Sequence, residues 1–390
     1  MESIKDKVAI IGVGMHPFGK FLDKSLKDLA RVAVWEAIKD SGVNPREIEV
    51  AYVSNALAGL ITGQEGVRGQ LVLRDAGLGG IPIINVENAC ASASTALRGA
   101  YLEIASGNAE IALALGVEKL YQEDTARSIA ALAADCDLEL GRMGFQFTAW
   151  YAMELRKYMA ETGATVRHLA QVVVKNSYNG SLNPYAQHRK PLTLEQVLNS
   201  RPIADPLTLY MCAPMGDGAA AAVLCAKDRV ARYTTKPVWI AGLALRAGMF
   251  HDPAKPSPST VTLTARKAYE MAGVGPKDIS VAEVHDAMAP AELLIYEDLE
   301  LCPPGQGWKL IEGGRTTLKG DKPVNTSGGL AARGHPVGAT GLAQVSEIVW
   351  QLRGEAGPRQ VAGAKVGLVQ NVGGLVEGDY AASSVTILKR

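Results

Sequence analysis

The sequence has no excess of charge of either sign, because its 40 Lys and Arg residues balance its 40 Asp and Glu residues. A protein that holds a polyanion carries a positive field, so this balance argues against nucleic acid as a partner. Long apolar runs are also missing: GAAAAVLCA at residues 218–226 is far shorter than the roughly 18 residues of a membrane span. The N-terminal residues MESIKDKVAIIGVG lack the basic and apolar regions of a signal peptide. We therefore expect a cytoplasmic protein that does not bind a membrane.

Cysteine and histidine are too few and too scattered to form a framework. An odd number of widely spaced cysteines fits neither a disulfide scaffold nor a zinc site, and the histidines show no short-range ligand pairing. The Gly12-Val13-Gly14 turn lacks the acidic residue of a dinucleotide site, and no phosphate loop or Gly-x-Ser-x-Gly elbow occurs. We predict no metal ion and no tightly bound cofactor. The residues concerned are Cys90, Cys136, Cys212, Cys225 and Cys302, with His16, His168, His188, His251, His285 and His335.

Glycine, by contrast, is abundant at 41 of 390 residues, above a background of about 7%. An internal repeat accompanies it: SGVNPREIEVAYVSNA at residues 41–56 resembles AGVGPKDISVAEVHDA at residues 272–287. The five identical positions of the two segments, from Gly42 with Gly273 to Val50 with Val281, are all separated by 231 residues. A helical stripe precedes each copy, and the first stripe begins at a capping pair formed by Ser25 and Asp28. The chain is therefore predicted to contain one α/β unit twice.

Two related α/β units predict a mixed sheet covered by helices, with the halves packed across a pseudo-twofold axis. We assign residues 1–119 and 217–232 to the N-terminal half and residues 233–390 to the C-terminal half. Residues 120–216 break the pattern with Asp, Tyr, Asn and Pro, and are predicted to be an inserted loop or lid region. Helices are expected within this region at residues 150–161 and 166–177.

Cys90 stands immediately before a predicted helix whose first turn has only small side chains, Ala91 to Ser94. The unpaired amides and the dipole at a helix N-terminus favour a thiolate, so this position predicts a nucleophile with a lowered pKa. The alternative is an inert cysteine that packs as a small hydrophobic residue.

His335 opens a corresponding helix in the second half, within Gly334-His335-Pro336. Placing His335 on Cys90 also matches Thr340 with Thr95. Protonation is unfavourable at a helix N-terminus, so His335 is predicted to be a neutral base for a thiol. The alternative is a histidine that only caps the helix.

His285 follows a predicted apolar strand, at the kind of strand end where α/β proteins form their sites. The alternative is a core histidine that pairs with Asp286. Gly373-Gly374, after Asn371, is a backbone turn suited to directing an amide N–H at an oxyanion.

Four motifs carry a resemblance to the thiolase superfamily over nearly the whole chain: NACASAS with Cys90, EVHDAM with His285, NTSGGLAARGHPVGATG with His335, and NVGG. The sequence is most similar to the sterol-carrier-protein and archaeal-type thiolases, because a His-Asp box replaces the Asn-Glu-Ala-Phe box of other thiolases. The resemblance implies the α/β thiolase fold, in which two duplicated βαβαβαββ halves form a five-layered αβαβα structure with an inserted loop region.

The resemblance also implies a CoA-dependent acyltransferase with defined roles. Cys90 would attack the keto carbon of a 3-ketoacyl-CoA and form an acyl thioester, while His335 takes the thiol proton. His285 would donate a hydrogen bond to the enolate oxygen of the departing fragment. The backbone amides of Cys90 and Gly373 would form an oxyanion hole, and CoA, a substrate, would release the acyl group. Ala287, Met288 and Asn371 are expected to line the site.

One departure concerns the second active-site cysteine of most thiolases, whose known positions here hold Asn371 and Ala287, which cannot exchange a proton. Three interpretations follow. In a thiolase, His335 or His285 carries out both proton transfers of the reaction, a carboxylate of the substrate assists, or the inserted loop places Cys136 or another cysteine at the site. Alternatively, the enzyme is a thiolase-like retro-aldol lyase or CoA-independent acyltransferase. A non-catalytic scaffold subunit is disfavoured, because the nucleophile and both histidines are present.

Partners and acyl group are further expectations. Relatives in this branch imply a homodimer or a dimer of dimers, with a small zinc-ribbon/OB-fold protein as a second subunit. The inserted region concentrates aromatic residues in a chain with only 6% of them, at Phe145, Phe147, Trp150 and Tyr151. We hypothesise that they line a pocket for an acyl group bulkier than that of acetoacetyl-CoA; the alternative is ordinary helix packing.

Overall fold

The structure is a computed structural model that describes residues 7–249 and 257–390. The sequence predictions that concern residues 1–6 and His251 lie outside the described residues. Within those two ranges the chain forms eleven strands and fourteen α-helices, here numbered in chain order.

The elements up to the middle of the chain are β1 Val8–Gly19, α1 Leu26–Ser41, β2 Val50–Ser54, α2 Ala58–Thr62, α3 Arg68–Asp75, β3 Ile83–Val86, α4 Ser92–Ala105, β4 Ile111–Glu118, α5 Thr125–Leu132, α6 Leu138–Arg142, α7 Phe147–Thr162, α8 Val166–Ser181, α9 Leu194–Leu198, β5 Pro202–Ala204 and β6 Leu207–Thr208. The later elements are β7 Asp217–Ala226, β8 Val238–Ala247, α10 Thr260–Ala272, β9 Val281–Glu283, α11 Glu292–Asp298, α12 Gly307–Glu312, α13 Gly329–Arg333, α14 Thr340–Arg353, β10 Val366–Val376 and β11 Asp379–Lys389.

The duplication seen in the sequence is a duplication of structure. Helices α1 and α10 both end at a glycine in the left-handed region, Gly42 with φ 68° and Gly273 with φ 60°, where a residue with a Cβ would be strained. Each glycine leads through a 3-10 turn into a strand, β2 or β9, at the same spacing. The capping box predicted at Ser25 and Asp28 is present at the start of α1.

The alignment of His335 on Cys90 is wrong. The 3-10 turn Ala89–Ala91 runs into α4, and the turn Val337–Ala339 runs into α14, two helices of 14 residues each. The matching turns place Gly338 opposite Cys90 and leave His335 on the loop before the turn. The sequence alignment depended on a single threonine pair, which was too little to fix the register between two helix starts.

Nine of the strands in the described residues form one sheet in the order β3-β2-β4-β7-β1-β8-β11-β10-β9. The first five belong to the N-terminal half and the last four to the C-terminal half, and the two groups meet where β1 pairs with β8. Pairing is parallel between β2 and its neighbours β3 and β4 and between β9 and β10, and antiparallel elsewhere.

Alternate side chains of β1 show how the layers form. Val8 and Ile10 pack with α4 and α14 in a core shared by both halves, whereas Ala9 and Ile11 pack against α1 on the other face. Helix α10 covers the outer face of the C-terminal strands. Helices α4 and α14 therefore lie between the two groups of strands, and the expected five-layered αβαβα arrangement is confirmed.

Residues 120–216 contain α5 to α9 and a small hairpin formed by β5 and β6. The two helices predicted there are present as α7 and α8; α7 extends beyond both predicted ends, whereas α8 begins at the predicted residue and extends only at its C-terminal end. The apolar face of α8 packs into the core of the C-terminal half. The three-part division of the chain stays a prediction. None of the helices in the described part of the chain is long and apolar enough to span a membrane.

Candidate active site

Cys90 lies in the middle of the 3-10 turn Ala89–Ala91, directly before α4. The turn is held by Ser92, whose hydroxyl donates to Ala89 O at 2.6 Å and accepts from the Asn88 N–H at 2.8 Å. Ala89 has φ 47°, an uncommon backbone conformation for a residue with a Cβ. This fixed, strained turn directs the Cys90 thiol into a cavity instead of into the core.

His335 faces this thiol, with its Nε2 atom 3.2 Å from Cys90 Sγ. Its Nδ1 atom lies 2.7 Å from Thr340 Oγ1, and the Thr340 hydroxyl donates to Pro336 O at 3.0 Å. The Thr340 hydroxyl has a single proton, which it donates to Pro336 O, so it can only accept a hydrogen bond from His335. The proton of the neutral imidazole is therefore on Nδ1. The unprotonated Nε2 then accepts from the Cys90 thiol, the orientation that a base needs.

Burial controls the charge of both groups. It lowers the pKa of His335 to about 3, with a further contribution from the Arg333 guanidinium, so the imidazole is neutral at neutral pH. Burial, together with the Asp135 and Glu118 carboxylates, raises the pKa of the Cys90 thiol well above its usual value. The lowered thiol pKa predicted from the helix N-terminus is therefore wrong, because burial and nearby acids outweigh the helix amides.

The uncharged state of both Cys90 and His335 can be tested by absorbance. Between pH 5 and pH 8 both the raised thiol pKa and the lowered imidazole pKa leave Cys90 protonated and His335 uncharged. The difference in absorbance at 240 nm between the wild-type protein and Cys90→Ser should therefore show no thiolate and no titration in this range. An excess at 240 nm that persists at pH 7 and disappears on acidification would instead show a thiolate–imidazolium pair.

His285 follows β9 and is held from two sides. Its backbone N–H donates to Gln370 Oε1 at 2.8 Å, and its Nδ1 atom accepts from the Asn371 side-chain amide at 3.0 Å. Ser94 on α4 fixes that amide by donating to Asn371 Oδ1 at 2.9 Å. With Nδ1 occupied as an acceptor, the proton of the neutral ring resides on Nε2, which is free to donate. Burial and the nearby His335 lower the pKa of His285 well below its usual value.

The alternative for His285, a core pair with Asp286, is not what the structure shows. The Asp286 carboxylate accepts from the Leu330 N–H at 2.7 Å and from Asn176 Nδ2 at 2.9 Å. The His285 ring instead lies edge-on to His335, with 5.1 Å between ring centroids.

The proposed oxyanion donors also come together. A Cβ added to Gly373 on β10 would lie 2.9 Å from Cys90 N and only 2.2 Å from Asn88 O, so this contact requires glycine. Gly374 follows with φ 62°. Gly373 therefore packs directly against the Cys90 turn, although the two residues are far apart in the sequence; that their amides form an oxyanion hole stays a prediction.

Cys90, His285 and His335 open into a cavity of about 370 Å³ whose lining is mostly apolar. Ala287 and Met288 line it as expected, but Asn371 is fully buried behind His285 because its amide is used by Ser94 and His285. The four aromatic residues singled out in the sequence all line the cavity: Phe145, Phe147, Trp150 and Tyr151.

Several residues of this lining were not predicted from the sequence, and Tyr380 and Asp135 are the two that carry an ionisable group close to the reacting residues. Tyr380 stands at the start of β11, and Asp135 lies in a turn of the inserted region; neither has a local motif. Their proximity to Cys90 depends on how distant segments pack. The reactive atoms of Cys90, His285 and His335 lie within 4.8 Å of one another, a spacing that suits shared proton and hydrogen-bond chemistry. The predicted absence of a metal site stays a prediction.

Comparison with known proteins gives the family. Residues 8–228 match the family model described as thiolase, N-terminal domain, and residues 245–390 match the thiolase C-terminal domain-like model. The acetyl-CoA acetyltransferase of Methanothermobacter thermautotrophicus is 44% identical over 370 residues, covering 94% of this chain and 96% of that protein. The benzoylsuccinyl-CoA thiolase subunit BbsB of Thauera aromatica is 39% identical over 363 residues, covering 92% of each chain.

One solved structure shares both fold and moderate sequence similarity. An Ltp2-ChsH2(DUF35) aldolase superposes with a TM-score of 0.82 at 26% identity, covering 100% of this chain and 99% of that one. The resemblance drawn from the four motifs is thereby confirmed. The chain belongs to the thiolase family and is an acyltransferase enzyme of that type.

Proposed function

We propose that this chain cleaves, or in reverse forms, the carbon–carbon bond of a 3-ketoacyl-CoA through an acyl thioester on Cys90. The observation that carries the proposal is the 3.2 Å contact between Cys90 Sγ and the unprotonated Nε2 of His335, in the lining of a mostly apolar cavity. His335 takes the thiol proton as Sγ attacks the keto carbon, so no free thiolate has to form beforehand.

The other groups divide the developing charges between them. The amides of Cys90 and Gly373 stabilise the oxyanion of the tetrahedral adduct; support comes from the close packing of Gly373 against the turn that carries Cys90. When the C2–C3 bond breaks, the electron pair moves into the enolate of the departing CoA thioester. His285 donates its Nε2 proton in a hydrogen bond to that enolate oxygen, with its tautomer fixed by Asn371. CoA then attacks the acyl thioester and releases the acyl group.

The acyl group is proposed to be bulky, aromatic or branched. Support comes from the aromatic side chains around Cys90, where Phe145 and Phe147 pack edge to face and Trp150 packs against Tyr151 and Tyr380. Flat rings of this kind form a slot suited to another ring. The similarity to a protein named as a benzoylsuccinyl-CoA thiolase subunit supports the same substrate class.

We further propose that the enzyme works in the cytoplasm as a homodimer or dimer of dimers, with a small zinc-ribbon/OB-fold protein as a partner. The related structure is named as a complex of Ltp2 with ChsH2(DUF35), and the relative from Thauera aromatica is named as a subunit. The same structure is named as an aldolase, so a retro-aldol lyase remains the second candidate function.

Trapping on Cys90 tests the proposal. The protein is incubated without free CoA with acetoacetyl-CoA or with benzoylacetyl-CoA, its phenyl counterpart, and digested for mass spectrometry. We expect an acetyl or benzoyl group on the Cys90 peptide, discharged within one turnover by added CoA, with faster formation from the phenyl substrate. Turnover of both substrates in the presence of CoA, with no acyl adduct on the Cys90 peptide, would contradict the nucleophilic mechanism. Turnover of acetoacetyl-CoA but not of benzoylacetyl-CoA would contradict the bulky acyl group.

A further inference from the structure

The proposed reaction needs a second proton transfer, and the two positions that hold the second cysteine in other thiolases cannot supply it here. When the carbon–carbon bond breaks, the α-carbon of the departing CoA thioester must receive a proton, and the incoming CoA thiol must later lose one. Asn371 and Ala287, at the two positions where a cysteine was expected, cannot supply either transfer. His335 holds the proton taken from Cys90 until that sulfur leaves the acyl group.

Asp135 lies at this site, and one oxygen of its carboxyl group forms no hydrogen bond within the described residues. It ends the 3-10 turn Ala133–Asp135 between α5 and α6, and it lines the same cavity as Cys90. Its Oδ2 atom is shielded from solvent and has no hydrogen-bond partner among the described residues. A buried carboxyl oxygen without a partner is costly, and such groups in native proteins call for a functional explanation.

The backbone fixes Asp135 against the strand that carries the oxyanion donor. The next residue, Cys136, forms a parallel bridge with Leu375 on β10. A Cβ added to Gly374 would lie 3.0 Å from Asp135 O and 3.6 Å from the Ala89 side chain, so the Asp135 turn, the Cys90 turn and Gly374 meet at one place. The backbone of Asp135 is therefore held next to the Cys90 turn, and its side chain lines the cavity from there.

Its surroundings favour the protonated acid. Burial, followed by the Glu118 and Glu87 carboxylates, raises the pKa of Asp135 well above its usual value. A neutral carboxylic acid in a water-poor site is suited to donate a proton to a carbanion.

We propose that Asp135 is the second proton-transfer group of the reaction, in place of the missing cysteine. This inference rests on the proposed function. In the first half, the Asp135 O–H bond breaks, a C–H bond forms at the α-carbon, and the carboxylate remains. In the second half, this carboxylate takes the proton of the CoA thiol, whose sulfur attacks the thioester. Cys90 leaves as a thiolate and recovers its proton from His335, which restores every group.

Other acids near the site fit this role less well. The Cys136 thiol donates to Ala133 O at 3.1 Å, and Cys136 is not among the described residues that line the cavity. Cys212 does line the cavity, but burial raises the pKa of its thiol to about 11, which makes it a weaker acid than a carboxyl group. Tyr151 and Tyr380 contact each other through their hydroxyls, and burial raises the pKa of both above the usual value for tyrosine, which makes them weak proton donors. The Glu118 carboxylate accepts from the backbone amides of two segments, at residues 56–57 and at Gly338, and is used there.

The test separates acylation of Cys90 from protonation of carbon. Asp135→Asn replaces a neutral acid by an amide of nearly the same shape, so the fold is retained. A p-nitrothiophenyl acyl thioester acylates Cys90 without a proton donor, because its leaving group departs as a stable thiolate; its release is followed by absorbance. A single turnover of benzoylacetyl-CoA in D₂O, followed by mass spectrometry of the deuterated CoA product, reports protonation of carbon.

We expect Asp135→Asn to retain acylation within about threefold and to lose about 10²-fold or more in formation of the deuterated product, the size of a general acid contribution. Asp137→Asn, a matched control on the exposed side of the same turn, should retain both rates; the amide still caps α6. Retention of cleavage in Asp135→Asn, or equal loss of both rates, would overturn the inference. Failure of the wild-type protein to become acylated would overturn the proposed function instead.

Discussion

Replacement of Cys90 by alanine is expected to lower kcat/KM for a 3-ketoacyl-CoA by at least about 10⁴-fold, the scale seen when a covalent nucleophile is removed. No other described side chain has both a sulfur in the cavity and a base at 3.2 Å from it. Alanine fits the space of a small thiol, so the fold should be unaffected. The measurement is steady-state turnover together with the mass of the Cys90 peptide.

Cys302→Ala provides the matched control, since Cys302 is a partly buried free thiol at the edge of the core, away from the cavity. It should retain turnover within about twofold. Full turnover by Cys90→Ala would remove the covalent mechanism and favour the retro-aldol alternative, in which no acyl group is transferred to the protein.

Replacement of His285 by alanine should affect the two halves of the reaction unequally. We expect cleavage of the carbon–carbon bond to slow by about 10²- to 10³-fold, the usual cost of removing one donor to a developing oxyanion. Acylation of Cys90 by the p-nitrothiophenyl thioester forms no enolate and should change by less than about threefold. Both rates are measured on the same preparation, so that the comparison does not depend on the active fraction.

His188→Gln is the control, because His188 is exposed and its backbone, not its ring, donates to Ala332 O. Both of its rates should match those of the wild-type protein. Equal losses in His285→Ala would show that the ring shapes the site or assists Cys90 directly, and would remove it from the enolate role.

The positions of Cys90 and His285 were predictable because each follows a local rule, whereas the rule applied to His335 placed it at a helix start that it does not occupy. Cys90 precedes a helix of small residues, His285 follows a strand, and the duplication gave the α/β class without knowledge of any structure. The pKa of Cys90 was not predictable in the same way. It depends on burial and on carboxylates from other segments, Asp135 and Glu118, whose proximity only the fold provides.

The residues that line the cavity differ in the same way: some have a signal in the local sequence, and others reach the cavity only through the fold. The aromatic residues from 145 to 151 stood out because the chain has few aromatics, and they line the cavity. Tyr380 reaches it from the C-terminal hairpin, where no sequence signal marked it. Asn371 was expected in the lining, yet it lies behind His285, because a side-chain amide between two partners serves orientation better than contact with substrate.

The register of the duplication has a consequence for symmetry. Gly338 is the counterpart of Cys90, and a Cβ there would lie 2.8 Å from Asn55 Cα and 3.0 Å from Val117 O. The backbone of the first half thus occupies the space in which a second nucleophile would stand. Within the described residues the two halves therefore share a framework but differ at this position, and a side chain introduced at Gly338 would have to displace the strand ends that pack against it.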